Sequence, residues 1–119
     1  MESGKGADIR ERAFELACRV LELHRFIYAN EPALRDASRQ ASSAAGSIGA
    51  NLEEADAGQS RADFISKCNI SLKEARECRY WLRMLARALK TSRVDPLIAE
   101  STEIVAILTT IVKKSRNSR

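Results

Sequence analysis

The chain has little of what builds β-structure or a catalytic centre. It holds two prolines, five glycines, three Phe, two Tyr and one Trp in 119 residues, a balance that disfavours a β-sandwich. Its single histidine, His24, has no neighbouring cysteine or second histidine. A histidine-based triad or a zinc site therefore has no local support. Three cysteines, Cys18, Cys68 and Cys78, are an odd number without a Cys-x-x-Cys pair. They read as small hydrophobes in a reducing compartment, which gives a cytoplasmic expectation. No apolar run nears the roughly 20 residues of a membrane span, and Met1 to Asp8 carries no apolar signal core.

Metal and phosphate motifs are also missing. Di-iron bundles need Glu-x-x-His motifs on two helices, and this sequence has none. The acidic group Glu53, Glu54 and Asp56 reads as a solvated or ion-paired helix end. The stretch Gly46 to Gly49 has no Walker lysine. The expectation is a protein without enzymatic activity, cofactor or metal.

What is present is helical periodicity, in four segments. The first, about 8–29, carries Ile9, Ala13, Leu16, Val20, Leu23 and Ile27 at steps of four and three, an apolar seam. Phe14, Ala17, Leu21 and Tyr28 read as widening it. The second, about 32–57, opens at Pro32 and runs through Leu34, Ala37, Ala41, Ile48, Leu52 and Ala55. Gly58 is expected as a left-handed terminator, and Ser60 with Asp63 as the next helix's cap. The third, about 61–90, interleaves two seven-residue rows, Cys68, Ala75, Leu82, Leu89 and Phe64, Ser71, Cys78, Leu85, a coiled-coil-like seam. The fourth, about 96–114, follows a cap at Asp95 and uses Leu97, Ser101, Ile104, Leu108 and Ile111, ahead of a basic tail. Short connections make successive helices antiparallel. The expected fold is all-α, an up-down-up-down four-helix bundle in one domain over 1–119.

Ala41 to Asn51 is unusually small, with Gly46 and Gly49 inside a helix, where each costs about 1 kcal/mol relative to alanine. The seam keeps its phase through it, which favours a helix over a linker. Two small rows, Ala41-Ala45-Gly49 and Ser42-Gly46-Ala50, allow close approach of two partners. One is expected to face the core and the other a second subunit, so Gly46 and Gly49 enter as candidate contacts in a homo-oligomer.

Charge is concentrated in the third segment. Residues 61–90 hold eight Lys and Arg against three Asp and Glu. Lys73, Arg76, Arg79, Arg83, Arg87 and Lys90 follow one helix stripe suited to phosphates. The alternative is a solvated or ion-paired face, with Glu77, Glu22, Glu100 and Glu103 as partners. Tyr80 and Trp81 interrupt the stripe and suit either base stacking or a protein interface, the latter favoured for Trp81.

Ser47-Ile-Gly-Ala-Asn51-Leu-Glu-Glu54, Ser60-Arg-Ala-Asp63-Phe64, Ile70-Ser-Leu-Lys73-Glu74-Ala-Arg-Glu77 and Tyr80-Trp81-Leu-Arg83 together resemble the bacterial four-helix-bundle proteins encoded in intervening sequences of 23S rRNA genes. The similarity runs from about Gln40 to Leu85. It departs at Glu53-Glu54-Ala55, where the family often carries Ala-Glu-Gly. The resemblance implies a cytoplasmic, non-enzymatic homopentamer. A related branch, the accessory proteins of diversity-generating retroelements, binds nucleic acid and reverse transcriptase. It also implies structural roles for Ser47, Asn51, Glu54, Ser60, Asp63, Phe64 and Glu77, with Asn51 and Glu54 linking helices. The expected partners are further copies of the chain, RNA or DNA, or an acidic protein, and no membrane.

Overall fold

A computed structural model describes residues 5–58 and 60–117. Gln59 of the expected turn, the first residues of the expected frayed start, and Ser118 and Arg119 of the expected tail lie outside the described residues. Four α-helices account for nearly all of the rest: α1 (Lys5–Asn30), α2 (Arg35–Asp56), α3 (Arg61–Leu89) and α4 (Asp95–Asn117). Among the described residues there is no strand. The body measures 50 × 26 × 21 Å, and α3 at 1.5 Å per residue spans about 43 Å of it.

Each helix forms where its apolar spacing predicts, but the ends are set by local hydrogen bonding. Pro32 opens a 3-10 turn, Pro32–Leu34, instead of α2 itself, so α2 begins at Arg35. The Asn30 amide donates back to the Phe26 carbonyl at 2.9 Å and satisfies one of α1's last acceptors. The Ser60 hydroxyl accepts from the Asp63 N–H at 3.1 Å, the N-cap read from the sequence. Asp95 lies inside α4, and the Val94 carbonyl accepts from Leu97 and Ile98 instead.

The terminators differ from expectation. No described glycine has positive φ; Lys90 does, at φ 55 and ψ 47. A non-glycine residue there costs roughly 1–2 kcal/mol. Gly58 serves for space: a Cβ on it would stand 3.1 Å from the Ala55 carbonyl oxygen and 3.4 Å from the Asp63 Cβ.

One core joins all four helices. It contains Ile9, Ala13, Leu16, Val20 and Ile27 of α1, Ala41, Ala45, Ile48 and Leu52 of α2, Cys68, Ala75, Cys78, Leu82 and Leu85 of α3, and Leu97, Ile104 and Leu108 of α4. The expected seams are largely buried, with Leu23, Leu34, Ala37, Phe64, Leu89 and Ile111 half-buried against the core and Val94, Val105 and Val112 added. Buried Ser71 donates to the Ile48 carbonyl at 2.6 Å and so ties α3 to α2. Among the described residues no buried side-chain polar atom lacks a partner.

Cross-helix contacts fix the order around the core. Arg10 meets Asp56, a Cβ on Gly49 would meet Ala13, and His24 meets Ser38. Glu54 meets Lys67 while Ile48 meets Ser71. Arg61 at the start of α3 reaches the Ser115 carbonyl near the end of α4. Neighbours therefore follow the chain, α1 to α2 to α3 to α4, and α1 closes on α4 through Arg12, Glu100 and Glu103.

Candidate nucleic-acid interface

The outer side of α3 carries the cations. Lys73, Arg76, Arg83, Arg87 and Lys90 are exposed, and Arg79 is half-buried. They lie there because the seven-residue rows of α3 turn Cys68, Ser71, Ala75, Cys78, Leu82 and Leu85 into the core. Among the described residues none of the six makes an ion pair. Three of the four carboxylates expected as their partners, Glu77, Glu100 and Glu103, are engaged elsewhere. The Arg12 guanidinium donates to both Glu100 oxygens at 2.8 and 2.7 Å and to Glu103 at 2.7 Å. Glu77 accepts from the Trp81 indole N–H at 3.2 Å. Bonding to Glu100 first, then to Glu103, raises the pKa of Arg12 above its usual range.

Two shallow grooves border the stripe where α3 meets α4. One, of about 350 Å³, brings Arg76 together with Lys113 and Arg116 of α4, cations the sequence left in a separate tail. The other, of about 520 Å³, is lined by Tyr80, Arg83, Met84 and Arg87 with Asp95 and Ile98 of α4.

Residues paired in the sequence are separated in space. Tyr80 and Trp81 touch edge to face, ring centroids 5.5 Å apart. Yet Trp81 packs on the core while Tyr80 is 55% exposed. Adjacent helical residues point about 100° apart, so only one of them can lie flat on the bundle. Gly46 and Gly49 divide similarly. A Cβ on Gly49 would meet Ala13 at 3.7 Å, whereas one on Gly46 would meet nothing within 4 Å. The Ala41-Ala45-Gly49 row thus faces the bundle, and Gly46 opens to solvent.

The motif residues are structural in their contacts. Glu54 pairs with Lys67 across α2 and α3 at 2.8 Å. Asn51 does not link helices: its amide donates to the Ser47 carbonyl at 2.9 Å, one turn back within α2. A seam-facing helix already has its neighbours close, and the short Asn side chain reaches its own backbone first. Half-buried Phe64 packs against the core behind the Ser60–Asp63 cap. Ala55, where the family often has glycine, is buried inside α2 and makes no turn.

A second surface was misread in the sequence. Phe14, Leu21 and Tyr28 do not widen the seam; they are 62%, 51% and 56% exposed. Their seven-residue spacing puts them on one line, and that spacing without core burial was the available signal for a second contact face. Tyr28 also holds the Arg35 guanidinium 4.1 Å over its ring.

Reactive groups are few. Burial pushes the Cys78 thiol up to about 12, helped by Glu74 and Glu77, and burial raises Cys68 as well. Such thiols are poor nucleophiles. Glu74 is raised by burial and by Glu77. His24 is bonded to Ser38. Among the described residues no group of three or more His, Cys, Asp or Glu is placed to hold a metal, and no described helix is long and apolar enough to cross a membrane.

These features define an all-α, bundle-like protein whose α3 carries a cationic face without ion pairs among the described residues. A sequence model of the 23S rRNA-intervening sequence protein family matches residues 5–110, and the chain belongs to that family. It is similar to a crystal structure of a protein with unknown function from the S23 ribosomal protein family from Bacteroides thetaiotaomicron VPI-5482. The two are 40% identical with a TM-score of 0.84, over 92% of this chain and 99% of that one. No curated protein matches.

Proposed function

We propose that this chain is a non-enzymatic, antiparallel up-down-up-down bundle that assembles with further copies of itself and binds nucleic acid through the outer face of α3, in the bacterial cytoplasm. One observation carries the binding role: six Lys and Arg side chains lie along one helix, without ion pairs among the described residues. Keeping like charges side by side is costly unless an anion neutralises them. The grooves continuing that face with Lys113 and Arg116 support phosphate tracking.

The antiparallel order is supported by the pairs Arg10–Asp56, Glu54–Lys67 and Arg61–Ser115. Self-association is supported by Gly46 on the thin face of α2 and by the exposed, seven-spaced line Phe14, Leu21 and Tyr28 on α1, a spacing that suits a second helix. A ring of five is what the family resemblance implies. A second reading, an acidic protein seated on α3, draws on exposed Tyr80 and Met84 among the arginines, because aromatic residues, Met and Arg are enriched in protein interfaces.

Binding to labelled RNA and DNA, measured over a range of salt, tests the proposal. Arg83→Glu/Arg87→Glu is expected to weaken both and to lower the salt slope by about 2, one for each lost phosphate contact. Absence of binding at low salt would overturn it. Gly46→Leu is expected to reduce the native mass while leaving helicity unchanged; an unchanged mass removes that face from the assembly.

A further inference from the structure

Tyr80 lies in the middle of the cationic stripe, not beside it. On α3 it stands one turn from Arg76 and Arg83 and two turns from Lys73 and Arg87, so the cations span about 21 Å with the ring at their centre. The ring is 55% exposed, and Met84, one turn on, is 43% exposed. Trp81 meets Tyr80 at an interplanar angle of 77°, and Trp81 itself is held by its bond to Glu77. The aromatic at the centre of the face is therefore positioned against a fixed neighbour. Beside it runs the groove of about 520 Å³, with Tyr80, Met84 and Ile98 as apolar lining and Arg83 and Arg87 as cations.

We infer that Tyr80 is a base-stacking platform, and that the α3 face takes single-stranded rather than duplex nucleic acid. The inference rests on the nucleic-acid reading of α3 and adds which form it takes. A duplex keeps its bases stacked inside and offers a helix face mainly phosphates, from which Tyr80 and Met84 would gain nothing. A single strand offers both parts at once: bases with open faces for the ring and phosphates for the flanking guanidinium groups. Asp95, on the α4 side of the groove, repels phosphate there and directs the backbone toward Arg83 and Arg87. Stacking on an aromatic is tolerant of base identity, so sequence preference is expected to be weak.

Fluorescence anisotropy with labelled oligouridylate, oligothymidylate and a duplex of equal length tests this on the full chain. The wild type is expected to hold both single strands more tightly than the duplex. Tyr80→Ala is expected to weaken single-strand binding about 5- to 150-fold, with duplex binding, helicity and native mass unchanged. Tyr80→Trp is expected to restore it. Equal binding of single strand and duplex, with Tyr80→Ala altering neither, overturns the inference and leaves a phosphate-only stripe, so the broader proposal survives. Wild-type chain that binds none of the three, or binding untouched by Arg83→Glu/Arg87→Glu, removes the nucleic-acid reading and this inference with it. Charge reversal that changes the native mass, or polyglutamate bound in place of oligonucleotide, overturns both by giving the face to a protein.

Discussion

The two edges of the bundle combine apolar and charged contacts in different proportions, and α2 and α3 also share the Glu54–Lys67 pair. Where α2 meets α3 the contact is dry and close: Ile48 and Ser71 are fully buried and joined by a 2.6 Å hydrogen bond. Where α1 meets α4 the helices are clamped by Arg12 on Glu100 and Glu103. Farther along, a cleft of about 530 Å³ opens between α1, the end of α3 and the start of α4, lined by Arg19, Leu23, Phe26, Leu89, Val94 and Leu97. The difference follows from connectivity. α2 and α3 follow one another along the chain, while α1 and α4 are far apart in sequence. At the α1–α4 edge directional, charged contacts add to the shared core.

The largest expected effect separates the edges by cavity cost. Ile48→Ala should lose about 2–5 kcal/mol, because the dry seam cannot refill the space. Leu97→Ala removes a similar volume but borders an open cleft, so it should fall at the low end of that range. Urea melts of the two variants measure the gap. Equal losses would break the comparison, since they would mean that the cleft edge is packed as tightly as the seam.

Ionisation sharpens the same contrast. Both Cys78 and Arg12 have raised pKa values, for opposite reasons: burial penalises the thiolate of Cys78, while Glu100 and Glu103 favour the charged guanidinium of Arg12. The thiol's ordinary value is 9.0 and the folded one about 12. Well below 9.0 the thiol is neutral in both states and adds no pH dependence. Between those values the unfolded chain releases a proton that the folded chain keeps, so stability falls as pH rises, by up to about 1.4 kcal/mol per pH unit. Cys78→Ala removes that component, and its stability should decline less steeply from pH 9 upward than the wild type's. Parallel declines would show that water reaches the thiol.

Much of the fold was legible because burial obeys spacing. Steps of three and four placed Ile9, Ala13, Leu16, Val20 and Ile27 in the core, and the seven-residue rows of α3 did the same for Cys68 and Leu82. Spacing failed where it could not tell a wide face from a second one. Phe14, Leu21 and Tyr28 share the period of the seam yet lie outside it. It also failed to foresee pairings that depend on axial register between helices distant in sequence. Arg12 and Glu100 are 88 residues apart, and Arg12 takes two of the carboxylates, Glu100 and Glu103, expected for Arg76 and Arg79. At the candidate site the stripe itself was readable, but the division of Tyr80 from Trp81 and the arrival of Lys113 and Arg116 beside Arg76 required the packed helices.

The smallest effect tests the charged edge directly. Arg12 is only about a quarter exposed at its side chain, 27%, and engages both Glu100 oxygens as well as Glu103. A bidentate, networked pair exceeds an ordinary surface pair, yet solvent still screens it. Arg12→Met keeps most of the stem packing and should cost about 1 kcal/mol at low salt, shrinking as ionic strength rises. Ile48→Ala should show no such salt dependence. A loss at Arg12 that ignores salt would mean that its methylene stem, and not the charge, holds α1 against α4, and the two edges would then differ in tightness but not in kind.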